Sequence, residues 1–330
     1  MKSKLIQKFL RVNHAWKRNR RGHLAAVSAA GVVLLLNLSG SAVVAQGFDA
    51  CARTSEQAQR SCLEGAQSNY VNALGKCANV SDPSARQACQ DQAQADLNDA
   101  QQTCQAGFVV RQSSCDKLGP APYDPVIDPA NFVARIDNPY FPLQPGTTFI
   151  YEGRMPEGLE RDQFAVTHNT RVILGVTCVE VHDSVFTDGA LTEDTLDWFA
   201  QDREGNVWYF GENTHELEDG LITTIEGTFM AGVNGDKPGI IMKAHPAISD
   251  FYRQEFSLNN AEDFAQTLSL NEVIRVRAGT FNHCLKSEET TPLEPDLLED
   301  KFYAPGVGNI LTVDVNTGAR EDLVRIIRGQ

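Results

Sequence analysis

The chain has 330 residues, of which 43 are acidic and 29 basic, and a formal net charge of −14 at pH 7. This length accommodates one large domain, or a small domain and a medium one. The acidic excess argues against nucleic acid and anionic lipid as partners, because both carry negative charge themselves.

The first 45 residues have the parts of an export signal. Residues 1–21 contain eight basic residues and no acid, residues 24–38 are apolar, and Val43 and Ala45 suit a signal peptidase. We therefore predict cleavage before Gln46, a periplasmic or extracellular location, and no membrane span in the mature chain. The alternative is an uncleaved N-terminal anchor, since residues 24–45 are long enough to cross a bilayer.

Six of the eight cysteines lie between residues 51 and 115, at spacings symmetric about one point. Residues 46–116 are rich in helix formers, and Asp82 and Pro83 provide an N-cap and a first helical residue after a short turn. Cysteines within one helix are at least ~16 Å apart, too far for a disulfide. The sequence therefore predicts a helical hairpin stapled by the nested pairs Cys51–Cys115, Cys62–Cys104 and Cys77–Cys89.

Residues 117–130 contain four prolines and predict a stiff linker, after which residues 131–330 have the pattern of a β domain. Alternation and closely spaced turns predict an antiparallel meander, as a curved sheet or incomplete barrel. The fold class is accordingly α+β. An irregular insertion, residues 230–250, is predicted to cover one sheet face. Strands are predicted at residues 147–153, 164–173, 177–186, 191–201, 206–212, 221–228, 264–270, 272–277, 281–288, 301–304, 309–315 and 321–327.

Three stretches of the β domain stand out as motifs. They are IDNPYFPL with PGTTF (residues 136–143 and 145–149), DWFAQD with GNVWYFGE (197–202 and 205–212), and YAPGVG (303–308). Together they resemble a family of exported bacterial β-rich proteins, over about residues 131–328. The resemblance implies an exported β protein, and it brings no established activity and no catalytic residue.

Carboxylates are concentrated on two of the predicted strands. Alternation places Glu193 and Asp197 on one face of strand 191–201, and Glu212 on the next strand with Trp208 and Phe210 on its own face. Such a group predicts a Ca²⁺ site or an acid/base pair. The alternative is a solvated face of an acidic protein. No other cofactor is predicted.

Aromatic residues in the same region are candidates for the wall of a ligand pocket. They could contact a lipid, pigment or sugar, and the alternative is that they form the core of the sheet. The residues are Trp198, Trp208, Tyr209 and Phe210.

The two remaining cysteines, Cys178 and Cys284, are predicted to form a fourth disulfide, because the chain is exported and its cysteine count is even. Two free thiols are the alternative. If their strands were neighbours, His182 and His283 would approach each other. None of the histidines has the spacing of a zinc-binding motif.

These features predict a non-enzymatic exported binding or scaffold protein that holds a small hydrophobic or cationic ligand on its β domain. The chain contains no nucleophile elbow, phosphate-binding loop or dinucleotide fingerprint. One alternative is a secreted hydrolase that uses Glu193, Asp197 and Glu212, with or without a divalent cation. Another is a cell-surface module that binds a partner protein through the helical hairpin.

Overall fold

The computed structural model describes residues 48–156 and 158–329. The predicted export signal, residues 1–45, lies outside these ranges. Two N-terminal helices are followed by a sixteen-stranded antiparallel sheet, which confirms the predicted fold class. Among the described residues, no helix combines the length and the apolar character needed to cross a membrane.

The helices of the hairpin are α1 (Ala50–Cys77) and α2 (Pro83–Leu118). Each begins after an aspartate whose side chain accepts a hydrogen bond from a backbone amide of the first turn. Asp49 Oδ1 lies 2.9 Å from the Ala52 nitrogen, and Asp82 Oδ1 lies 2.7 Å from the Ala85 nitrogen. These caps satisfy donors that a helix start otherwise leaves unpaired.

Three disulfides join the two helices, and they have the predicted nested pairing: Cys51–Cys115, Cys62–Cys104 and Cys77–Cys89. The seam between the helices is lined by small buried residues, among them Ala58, Ala66 and Ala93. Small side chains let the backbones approach closely, but they bury little apolar surface. The hairpin therefore depends on its disulfides, each of which contributes ~2–4 kcal/mol.

The sheet is a meander whose central strands pair in chain order. Its hydrogen-bonded order is β10-β12-β13-β14-β15-β16-β2-β3-β4-β5-β6-β9-β11, with β1 beside β5 and both β7 and β8 beside β6. The strands are β1 (Phe132–Val133), β2 (Thr147–Met155), β3 (Gly158–Ile173), β4 (Val176–Thr187), β5 (Ala190–Asp202), β6 (Val207–Glu218), β7 (Leu221–Thr224), β8 (Phe229–Met230), β9 (Lys237–Met242), β10 (Phe251–Arg253), β11 (Glu255–Phe256), β12 (Phe264–Val276), β13 (Gly279–Thr290), β14 (Leu298–Ala304), β15 (Gly308–Asp314) and β16 (Arg320–Arg328).

The two edges of the sheet meet at residues 251–256. β10 pairs with β12 at one edge and β11 pairs with β9 at the other, and Gln254 alone separates β10 from β11. Because the edge strands are consecutive in the chain, the sheet curls back on itself and is nearly barrel-shaped. Gly239 on β9 permits this approach, since a Cβ there would collide with the backbone of Gln254.

Each face of the sheet has its own apolar cluster. The inner cluster includes Phe164, Val181 and Phe199, together with residues of most other long strands. The outer cluster is smaller, and Phe132 of β1 and Ile127 of the chain segment before β1 pack against it. The sheet therefore has an enclosed inner face and an outer face that is covered in part.

The insertion at residues 230–250 is not the cover that the sequence predicted. Within it, β9 pairs with both β6 and β11 and so belongs to the sheet. The sequence did not predict this strand because it contains Pro238 and Gly239, and both residue types are rare inside strands.

The base of the hairpin packs against the β domain through a buried ion pair. Arg111 binds the Glu262 carboxylate through Nε at 3.1 Å and Nη2 at 2.5 Å, and the two side chains are 5% and 2% exposed. Asn259 accepts a hydrogen bond from Arg111 and donates another to the Ala58 carbonyl oxygen at 3.1 Å. The hairpin is therefore anchored to the β domain by its base.

The proline-rich segment also contacts the rest of the protein. The Ala50 amide donates to the Pro120 carbonyl oxygen at 2.9 Å, and the Tyr123 hydroxyl donates to the Pro238 carbonyl oxygen at 2.8 Å. This segment is thus held against both the hairpin and the sheet.

Candidate functional site

Five buried carboxylates lie on the inner face of four consecutive strands, β3 to β6. We call them the acidic row, and each is at most 3% exposed: Glu160, Asp162, Asp183, Asp197 and Glu212. The strand register places Asp197 directly opposite Glu212. It also places Asp183 opposite Thr195, which precedes Asp197 by two residues on the same face. Asp183, Asp197 and Glu212 therefore lie side by side.

A β-bulge in β6 determines which of its side chains join the acidic row. Phe199 pairs with Tyr209 while Trp198 pairs with Gly211, so that Phe210 is an extra residue in β6. The extra residue interrupts alternation. As a result Tyr209 and Glu212 both face inward, whereas Phe210 packs in the outer cluster.

The bulge corrects the sequence analysis on one point. Strict alternation grouped Trp208, Phe210 and Glu212 on one face, and this grouping is wrong for Glu212. Gly211 permits the bulge, since a Cβ at this position would lie 2.6 Å from the carbonyl oxygen of Phe229 on the neighbouring strand.

The Tyr209 hydroxyl lies between Asp197 and Glu212. Its oxygen is 2.5 Å from Asp197 Oδ1 and 2.9 Å from Glu212 Oε2. Burial, and then the charges of Asp183 and Glu212, raise the pKa of Asp197 to about 8. Burial and the neighbouring carboxylates also raise the pKa of Tyr209 well above its ordinary value. At neutral pH, Tyr209 is protonated and Asp197 largely so.

Glu193, the third carboxylate of the predicted site, lies farther along β5. It is opposite Glu216, and its side chain accepts a hydrogen bond from the Thr195 hydroxyl at 3.0 Å. Among the described residues, no three Asp, Glu, His or Cys side chains have the arrangement of a metal site. The structure therefore joins two of the three predicted carboxylates and adds Asp183 to them, as a row of buried carboxyl groups without converging metal ligands among the described residues.

The four predicted pocket aromatics are part of the two apolar clusters. Trp198 and Phe210 are buried in the outer cluster, and Trp208 packs against them. Tyr209 lies in the inner cluster, where its ring stacks on Phe199 at 4.7 Å between centroids. In this arrangement they form sheet core, the alternative considered from the sequence, and only the Tyr209 hydroxyl belongs to the acidic row.

A second buried polar group surrounds Lys301 on β14. Its ammonium lies 2.6 Å from Glu289 and 3.7 Å from Glu299, and the Tyr303 hydroxyl donates to Glu289 at 3.0 Å. Burial alone would lower the pKa of Lys301, but the charges of Glu289 and Glu299 raise it above its ordinary value. Lys301 therefore stays charged within the protein.

The predicted fourth disulfide is absent, because Cys178 and Cys284 are both free and buried. Cys178 lies in the outer cluster on β4 and Cys284 in the inner cluster on β13, and five strands separate β4 from β13. The same separation rules out the approach of His182 to His283. His182 pairs instead with Asp194 at 2.6 Å, and His283 contacts Asn271 at 2.7 Å.

Several residues of these polar groups were not candidates in the sequence analysis: Glu160, Asp162, Asp183 and Lys301. Asp183 could have been found from its alternation with Val181 and Val185 on one strand, because a carboxylate between two core valines points into the core. Lys301 has no comparable local signal, since its partner Glu289 is on another strand.

No family model and no curated protein matches the chain. Among solved structures, the chain is similar to a candidate lipoprotein from Parabacteroides distasonis ATCC 8503, at 14% sequence identity and a TM-score of 0.29. The match covers 57% of this chain and 98% of that chain. At this level of similarity we draw no conclusion from it about fold or function.

Proposed function

We propose that the chain is an exported, non-enzymatic binding protein that holds an organic cation, an amine or a guanidinium compound, against the acidic row. The observation that carries this proposal is the clustering of Asp183, Asp197 and Glu212 on the enclosed face of the sheet. Export is supported by the three disulfides, which form in oxidising compartments. Membership of the exported family that the motifs resemble is part of the same proposal.

The negative field of the acidic row suits a cation. Burial, and then the like charges of Asp183 and Glu212, raise the pKa of Asp197 to about 8, so the site resists a further negative charge. A bound cation reverses this effect and favours the ionised carboxylate. Binding at neutral pH is therefore expected to release a proton from Asp197.

An organic cation suits the row better than a metal ion. Calcium requires six to eight oxygen ligands at about 2.3–2.6 Å from one point. An ammonium or guanidinium group instead donates several separate hydrogen bonds, which a row of carboxylates can accept. The predicted Ca²⁺ ligands Asp197 and Glu212 are retained in this proposal, with a different class of cation.

Thermal unfolding of the mature protein with putrescine, spermidine, arginine or CaCl₂ tests the proposal. We expect at least one organic cation to raise the melting temperature, and the Asp197→Asn substitution to remove most of that rise. Calorimetry in buffers of different ionisation enthalpy should detect the released proton. Native mass spectrometry of protein from its own host would identify the natural ligand.

Asp194→Asn is the matched control. Asp194 is on the same strand as Asp197, its side chain is 40% exposed, and it pairs with His182 on the outer face. This variant should respond to the cation as the unmodified protein does. Equal loss in both variants, or stabilisation by CaCl₂ alone, would contradict the proposal.

The two alternatives from the sequence analysis stay predictions. In the hydrolase alternative, the Tyr209 hydroxyl already contacts both Asp197 and Glu212, where a reacting bond and its water would have to lie. In the interaction alternative, the hairpin beyond its anchored base would present its polar outer faces to a partner. No specific observation favours either one over cation binding.

A further inference from the structure

A cavity of about 320 Å³ lies where the hairpin, the proline-rich segment and the β domain meet. The hairpin contributes Cys51 and Leu118, and the proline-rich segment contributes Tyr123. The sheet contributes Arg253 and Phe256. Ala121 and Pro122, which also line it, are exposed, so the cavity opens at the surface. None of its lining residues belongs to the acidic row.

Arg253 is the buried charged group of this cavity. It is 8% exposed, and its guanidinium lies 4.8 Å from the ring centre of Phe264, 5.1 Å from that of Phe256 and 5.5 Å from that of Tyr123. Nη2 contacts the Cys51 sulfur at 3.8 Å, while Nη1 is buried and has no hydrogen-bond partner among the described residues. A buried guanidinium with an unused donor is costly, so an acceptor placed there would be stabilised.

Glu262 is the acid with the largest electrostatic effect on Arg253, but its described hydrogen bonds do not include Arg253. Burial has the largest effect on the pKa of Arg253 and lowers it. The charge of Glu262 acts in the opposite direction and raises this pKa. The Glu262 carboxylate itself is bound by Arg111 through two nitrogens. Arg253 thus keeps a positive charge. Aromatic rings surround this charge, and none of the described hydrogen bonds joins Arg253 to a carboxylate.

The other charged residue that lines the cavity is also positive. Lys237 is the second cation, and it pairs at the rim with Asp124, whose side chain is 79% exposed. None of the described residues that line the cavity is acidic. In a chain with a net charge of −14, a cavity with two cations and no acid is a local reversal of the surface charge.

We propose that this cavity binds a small organic anion, whose carboxylate pairs with the Arg253 guanidinium and whose apolar body lies against Tyr123, Phe256 and Leu118. Its volume is at the lower end of the range for small-molecule sites, about 300–1,000 Å³. This size suits a compact aromatic or short aliphatic acid. The site is independent of the acidic row, which takes the opposite charge.

Benzoate is a suitable probe, with benzyl alcohol as its neutral analogue and acetate as the anion without a ring. We expect calorimetry or ligand-observed NMR on the mature protein to show benzoate binding at roughly millimolar Kd or tighter. Arg253→Gln should weaken it at least tenfold, since a charge-assisted hydrogen bond is lost. Benzyl alcohol and acetate should each bind at least tenfold more weakly than benzoate.

Two further variants keep the test decisive if Arg253→Gln fails to fold. Ala121→Trp places a large side chain at the exposed mouth, leaves Arg253 unchanged, and should block benzoate. Arg60→Gln alters an exposed arginine on the hairpin and should leave binding unchanged. Absence of benzoate binding to the unmodified protein, equal binding of benzyl alcohol, or unchanged binding in Ala121→Trp would overturn the proposal.

Discussion

Asp197 and Glu212 lie opposite each other on neighbouring strands and share the hydroxyl of Tyr209. The hydroxyl has one proton, so it can donate to only one carboxylate at a time. Both contacts can be hydrogen bonds at once if one of the two carboxyl groups is protonated. The tyrosine hydroxyl then donates to the ionised carboxylate, and the protonated carboxyl group donates to the tyrosine oxygen. Asp197, with its pKa raised to about 8 by burial, Asp183 and Glu212, is the group that carries this proton at neutral pH.

Stability should therefore fall as the pH rises towards 8. The pKa of Asp197 is about 8 in the folded protein against an ordinary 3.8, so between these values the folded state binds a proton that the unfolded state releases. The free energy of unfolding then decreases with pH, by at most ~1.4 kcal/mol per unit from this group. Asp197→Asn should flatten that decline, as measured by urea unfolding from pH 5 to pH 9.

Asp194→Asn is again the control, and it should keep the slope of the unmodified protein. A slope that is the same in the unmodified protein and in Asp197→Asn would show that Asp197 does not hold the proton.

The parts of the fold that the sequence could predict depend on local patterns. The pairing Cys62–Cys104 follows from helical spacing, and Asp82 marks the start of α2 by its place before Pro83. The meander follows from alternation and from glycine-containing turns. Each of these signals lies within a few residues of the element that it specifies.

The parts that the sequence could not predict depend on tertiary contacts. The bulge at Phe210 requires the register with β5, and Arg111 meets Glu262 across 151 residues of chain. The even number of cysteines suggested a Cys178–Cys284 disulfide, but it carries no information about which strands are neighbours. Asp197 and Glu212 were therefore candidates from the patterns of their own strands, whereas the contact that joins Lys301 to Glu289 on another strand was missed.

Removing Arg111 should release the base of the hairpin. Arg111→Met leaves the Glu262 carboxylate buried without its arginine, and breaking a buried pair in this way costs ~3–5 kcal/mol. Hydrogen exchange should increase in residues 257–263, which receive the hairpin, while the three disulfides stay intact. The double substitution Arg111→Met with Glu262→Gln should recover part of the loss, because neither member of the pair is then a buried charge without its partner.

Arg60→Met is the matched control for the hairpin. It breaks the Arg60–Glu64 pair, whose side chains are 73% and 66% exposed, so the expected change is below ~1 kcal/mol. If Arg111→Met had an equally small effect, the buried ion pair would not be what anchors the hairpin.

Lys301 should be important for the stability of the β domain. Lys301→Met leaves Glu289 and Glu299 buried without the ammonium that both contact, and we expect a loss of ~3–5 kcal/mol in chemical unfolding. The neighbouring pair Lys286–Asp300 is less buried, with side chains 24% and 18% exposed. Lys286→Met should cost about 1 kcal/mol or less, and equal costs for the two lysines would contradict the assignment.

Thiol titration should find two free cysteines that react only after unfolding. Cys178 and Cys284 are buried in separate clusters, and burial raises the pKa of Cys178 to about 12, so its reactive thiolate is scarce at neutral pH. The native protein should therefore be inert to a thiol reagent, and the denatured, unreduced protein should show two thiols. The double substitution of both residues by alanine should show none. A denatured protein without thiols would mean that these cysteines pair, and the sheet order that separates β4 from β13 would then be wrong.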